Sequence, residues 1–135
     1  MPCTGRGCAA PASGQSAWRC TKSSATCSGG TFDLPHAETH TVVLPHATAY
    51  NAGAAPEAMT RVARALGRPD PPRVLFELAG RLGAKRSLRD LGMPQDGIEQ
   101  VVEQTMATPY PNPRPLDRSA IRELIIRAWK GEPPQ

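Results

Sequence analysis

The stretch PEAMTRVARALGRPDPPRVLFELAGRLG, residues 56–83, decides how the chain folds. Met59, Val62, Ala63 and Leu66 recur at i, i+3, i+4 and i+7, which places four apolar side chains on one face of an α-helix. After a break at Gly67, the residues Leu75, Leu78, Ala79 and Leu82 repeat the pattern. Pro56 suits a first helical position, where its missing N–H leaves nothing unsatisfied, and Gly67 and Gly83 suit the ends. Asp70 stands where an N-cap belongs. The spacing predicts two helices, 56–66 and 71–82, each with a stripe facing a core.

The same reading extends in both directions. Upstream, 37–50 carries Val42, Val43 and Leu44 on a helical pattern that Pro45 should kink or cut short. Downstream, Ser87–Leu91 is at most a short helical turn, and 94–106 presents Ile98, Val101, Val102, Thr105 and Met106 on one side. The run PYPNPRP, Pro109–Pro115, has four prolines in seven residues and must be a stiff extended loop. A last helix, 118–129, follows Asp117 as cap and buries Ile121, Leu124, Ile125 and Ala128. The strand period is missing throughout, so residues 31–135 read as all-α, an orthogonal helical array rather than an up-down bundle.

Composition agrees and narrows the function. The chain has 135 residues, room for one domain, and only 4% aromatic residues, which argues against a β-sandwich. No apolar run approaches the roughly 20 residues of a membrane span, and the first residues lack the apolar core of a signal peptide. Residues 1–30 hold Cys3, Cys8, Cys20 and Cys27, three basic residues and no acid. The remainder carries 13 basic and 12 acidic residues, so the net charge of +4 belongs mostly to the first thirty positions. Without a basic run interleaved with aromatics, nucleic-acid binding is not expected. The cysteine spacings match no zinc-ligand pair, and residues 1–28 show no apolar period, the composition of a disordered tail.

Three histidines, His36, His40 and His46, fall within eleven residues. His36 begins the first helix and His40 stands one turn along the same face, a spacing at which two imidazoles can share a metal. Taken singly, His40 and His46 read as solvated or partly buried helix residues. In the proline loop, Asn112 and Arg114 offer an amide and a guanidinium on a rigid support, a pairing suited to a carboxylate. A surface Arg beside an Asn turn is the plainer reading of the same two residues.

GGTFDLPHAETHTVVLPHATAYN, Gly29–Asn51, resembles the signature region of maleylacetate reductases, within the iron-containing alcohol dehydrogenase superfamily. The likeness continues through APEAMTRVARALG, SLRDLGMP and NPRPLDRSAIRELIIRAW, and covers residues 29–135. It implies the all-helical C-terminal domain of a two-domain enzyme with a dehydroquinate synthase-like fold, whose N-terminal α/β domain binds NADH or NADPH. The implied reaction is reduction of maleylacetate to 3-oxoadipate in the degradation of aromatic compounds, by a cytoplasmic homodimer. His36 matches the histidine after LP, an active-site residue and, in the alcohol dehydrogenase branch, an iron or zinc ligand. Asn112 and Arg114 would hold the dicarboxylate, and no residue here is expected to bind the nicotinamide cofactor. Two alternatives stand beside it: the same domain of an Fe- or Zn-dependent alcohol dehydrogenase, or a helical interaction module without catalysis. AETH after LPH, where alcohol dehydrogenases more often carry glycine, favours the reductase.

The likeness stops abruptly at Gly29. The family places further histidines in a motif like MALHHKLCHVLGG just before TFDLPH, where this chain reads SAWRCTKSSATCSGG. Back-translated with ordinary codons and read one frame over, Trp18 to Cys20 yield M-A-L-H, and the following codons allow K-L-C-H-V-L-G-G after one intervening residue. Residues 1–28 are therefore expected to be an out-of-frame translation, with the initiating ATG inside an older coding sequence. On that expectation the chain alone is inactive.

Overall fold

The computed structural model describes residues 32–107 and 111–135. The expectations for residues 1–28, and for Pro109 and Tyr110 of the proline loop, lie outside the described residues. Five long helices follow in order: α1 (His36–Ala52), α2 (Pro56–Leu66), α3 (Pro71–Arg81), α4 (Gly97–Ala107) and α5 (Arg118–Lys130). There is no strand among the described residues.

α1 is the central element, packed against α3 and α5, while α4 lies on α5 and α2 on α3. Its 17 residues run without a break through Pro45, contrary to the interruption expected there. Proline removes one backbone hydrogen bond from a helix interior, a cost of about 3 kcal/mol. Here it is met by burial: Val42, Val43, Pro45 and Ala47 are all enclosed, so helix and core stabilise each other. Thr39 and Thr48 turn their hydroxyls back onto the carbonyls of Pro35 and Leu44, which satisfies both groups inside the protein.

The core joins α1, α4 and α5 with the segment between α3 and α4. Val43, Leu88, Val101, Val102, Ile121, Ile125 and Ala128 are fully buried. The stripes expected on α4 and α5 are the ones observed, Met106 being only partly covered. Asp117 caps α5 as expected, its carboxylate accepting from the Ala120 N–H at 2.9 Å. The hydroxyl of Ser119 donates to the same carboxylate, and both contacts hold Asp117 below the usual carboxylate range.

α2 and α3 depart from expectation. α2 has the predicted bounds and ends at Gly67 in the left-handed region (φ 67°), yet none of its residues is buried. On α3 the buried side is Phe76 and Ala79, whereas Leu78 is 40% and Leu82 75% exposed. Period alone identifies a face; it does not supply the element that covers it. Asp70 is not a side-chain cap either: it lies in the left-handed region (φ 65°) and turns the chain into Pro71 and Pro72.

Between α3 and α4 the chain forms turns pinned to the end of α5. Leu88 N–H donates to Ala128 O at 3.0 Å, and the Trp129 indole donates to Met93 O at 2.8 Å. α4 starts at Gly97, later than expected, after a turn in which the Gly97 and Ile98 N–H groups donate to the carbonyls of Pro94 and Gln95. The ring of Phe32 lies over Gly97, where a Cβ would meet it at 2.5 Å, so any side chain there would have to displace the ring.

Candidate functional site

The functional candidates separate to the two ends of α1. At its start, His36 is exposed on the first turn, and Pro35 before it leaves the helix without a side-chain cap. His40 is half-buried one turn further on. The two Nε2 atoms are 3.2 Å apart, and the rings meet edge to face with centroids 4.7 Å apart. Such a contact requires one imidazole to donate and the other to accept, so the two nitrogens share one proton. Neighbouring Leu34, Thr39 and Phe32 fix this end of the helix: Leu34 and Phe32 pack onto the core, and Thr39 bonds back to Pro35.

The pair also fits half of a metal site. With metal–nitrogen bonds of about 2.1 Å, this separation corresponds to an N–metal–N angle of roughly 100°, within reach of tetrahedral or octahedral coordination. Among the described residues no group of three or more His, Cys, Asp or Glu could complete such a site.

At the other end of α1, Tyr50 organises the proline loop. Its hydroxyl donates to Pro115 O at 2.6 Å and accepts from the Asp117 N–H at 3.2 Å. The Arg114 guanidinium stacks on its ring, 4.4 Å from the centroid, and donates to Tyr50 O at 3.4 Å. Asn112 donates its amide to Arg114 O at 2.7 Å and so shapes the loop from within. The described part of that loop, from Pro111 on, is neither helix nor strand, as four prolines require.

His46, one turn before Tyr50, is buried, 3% exposed, where a solvated or partly buried residue was expected. Its ring meets Phe76 edge to face, and its Nε2 has no hydrogen-bond partner. Burial first, and the Arg127 charge second, push its pKa down from 6.5 to about 4, so it is neutral at physiological pH. Sequence gave no hint of this, because burial at position 46 depends on α3 and α5 arriving from elsewhere in the chain.

The sequence candidates are therefore not brought together. Positions 36 and 50 are separated by about 21 Å along α1, at 1.5 Å of rise per residue. Arg114 and Asn112 sit at the Tyr50 end. A single small dicarboxylate cannot touch His36 and Arg114 at once.

This all-α unit is the C-terminal domain of the Fe-containing alcohol dehydrogenase family. The family model for that domain matches residues 12–129, and the chain belongs to this family. Within the family the chain is similar to maleylacetate reductases. The enzyme of that name from Sphingobium indicum is 58% identical over 106 residues, which are 78% of this chain and 30% of the relative. The crystal structure of maleylacetate reductase from Agrobacterium tumefaciens superposes with a TM-score of 0.80 at 42% identity, covering 84% of this chain and 32% of that one. That from Rhizobium sp. strain MTP-10005 gives 0.79 at 38% identity, covering 84% and 32%. The chain thus spans about a third of the length of the proteins it matches. No described helix is long and apolar enough to cross a membrane.

Proposed function

We propose that this chain is the C-terminal domain of an NAD(P)H-dependent maleylacetate reductase, closing one side of an active-site cleft with His36. The observation that carries the reading is the exposed His36–His40 pair at the start of α1, in a chain 58% identical to an enzyme of that name. Reducing a carbon–carbon double bond adds a hydride to one carbon, supplied by NADH or NADPH when bound, and a proton to the other. His36, exposed at the start of α1 and in contact with His40, is placed to deliver that proton, and an imidazole N–H is also suited to a substrate carboxylate. The relatives are about three times as long as the matched segment, and the nucleotide would be held by the part of them that this chain does not span. The working enzyme is a cytoplasmic homodimer acting on a small dicarboxylate, and this chain alone is inactive. Asn112 and Arg114, expected to hold that substrate, lie too far from His36 to belong to the same site.

The test is a graft. Residues 29–135 replace the corresponding domain of the Agrobacterium tumefaciens maleylacetate reductase, and the hybrid is assayed for NADH-dependent reduction of maleylacetate. Activity is expected, with His36→Ala lowering turnover about 10²–10⁴-fold, the usual weight of a positioned proton donor. A hybrid that folds and binds NADH but leaves maleylacetate unreduced overturns the reading.

A second reading follows from the separation of the two imidazole nitrogens, which suits iron or zinc. There His36 and His40 would hold the metal, which would supply Lewis acidity, as in an alcohol dehydrogenase. Metal analysis of the purified hybrid, with and without His40→Ala, separates the two.

We also infer that residues 1–28 are an out-of-frame translation. The matches to maleylacetate reductases run over 106 or 107 residues, close to the 107 from Gly29 to Gln135, although the family model for the domain reaches back to residue 12. Resequencing the genomic DNA upstream of codon 40 tests this: one inserted or deleted base near codon 28 that vanishes restores a complete reductase frame, whereas an unaltered frame leaves a relic or a domain with an unrelated tail.

A further inference from the structure

The end of α1 remote from His36 holds a cavity of about 230 Å³. α1 contributes His46, Ala49 and Tyr50 to its wall, the proline loop contributes Arg114, and α5 contributes Glu123 and Arg127. Two features set it apart from an ordinary surface dent, although its wall is balanced in charge: the guanidiniums of Arg114 and Arg127 stand with the Glu123 carboxylate and the C-terminal residue Gln135. Arg114 is held stiffly, stacked on Tyr50 and fixed by the loop, and it forms no ion pair within 4 Å among the described residues. The buried His46, in the same wall, keeps an unpartnered Nε2, and a buried imidazole nitrogen without a partner carries a desolvation cost that a ligand can relieve.

We propose that this cavity binds a small carboxylate, taken by the guanidiniums of Arg114 and Arg127 beside the buried His46 ring. Guanidinium suits carboxylate through paired N–H donors, and a stacked guanidinium loses little freedom on binding. Glu123 competes for the same charge: its Oε1 accepts from Arg127 Nη2 at 2.8 Å and from Nε at 3.3 Å. A bound carboxylate would draw Arg127 partly away from Glu123. The cavity is too small for a drug-sized ligand and suits an acid of a few carbons. The site is separate from the His36 cleft, so its fate does not depend on the reductase reading.

The experiment uses the full 135-residue chain and succinate as probe, with the His46 ring resonances followed by NMR near neutral pH and inorganic phosphate as comparator. Saturable shifts of the His46 ring are expected with succinate and weaker ones with phosphate. Arg114→Gln and Arg127→Gln should each weaken succinate binding about tenfold, the scale of one charge-assisted hydrogen bond. Glu123→Gln should tighten it severalfold by releasing Arg127, a gain that unfolding cannot mimic. His36→Ala should leave it unchanged. Shifts that stay linear up to about 50 mM, far weaker than a built site, overturn the proposal. So do equal binding of phosphate, weakening in Glu123→Gln, or affinities untouched by both arginine variants.

Discussion

The hydroxyl of Tyr50 donates to the carbonyl of Pro115 across 65 positions of sequence, at 2.6 Å, and ties the far end of α1 to the proline loop. That one side chain also accepts from the Asp117 N–H and carries the Arg114 guanidinium on its face, so loop, cap and cavity wall share an anchor.

Tyr50→Phe keeps the ring and removes both hydroxyl contacts, leaving the Asp117 N–H and Pro115 carbonyl to find water. A loss of about 1–3 kcal/mol is expected by urea denaturation, the cost of unpaired buried polar groups. An unchanged midpoint would show that the loop is held by the stacking alone.

His46 should make stability depend on pH. Unfolded, it binds a proton with a pKa of 6.5; folded, only near pH 4. Between these values the unfolded chain holds the extra proton. The stabilisation is therefore complete above pH 6.5 and drains away as pH falls towards 4, by up to about 3 kcal/mol. The groups that face His46 are Arg127 from α5 and Phe76 from α3, with Arg86 stacked on Phe76. Denaturation near pH 7.5 and pH 5 should differ markedly for the native chain and much less for His46→Asn, the comparison of the two chains isolating the contribution of position 46.

Gly97→Ala should displace the Phe32 ring, which leaves no space for a Cβ. Overpacking of this kind costs about 1–3 kcal/mol, and because Phe32 lies four positions before His36, a change in the His36 ring resonances should accompany the loss.

Leu82→Gln and Ile125→Ala make a contrasting pair. Leu82 belongs to a well-formed stripe but is 75% exposed, so its replacement should move stability by no more than about 0.5 kcal/mol. Ile125 is fully buried between α5 and the core, and truncation should cost about 2–5 kcal/mol.

Much of the fold was legible because helical signals are local. A cap such as Asp117, a left-handed glycine such as Gly67 and an i, i+3, i+4 stripe all act within one or two turns, and the bounds of α2 and α5 came within a residue of the sequence reading. Pro45 misled because its cost is local while the packing that offsets it is not. The site was less legible: an i, i+4 pair such as His36 and His40 is visible in sequence, but its 3.2 Å contact and the distance to Arg114 are not.

By itself the sequence determined five helices, the spacing of their apolar faces and the stiff loop, since each depends on neighbours along the chain. Only the tertiary structure decided which faces are covered, that Pro45 stays helical, that His46 is buried and neutral, and that His36 and Arg114 stand at opposite ends of α1. Those outcomes depend on which distant segments arrive at a surface, and burial, desolvation and charge proximity are properties of that arrival rather than of the residue.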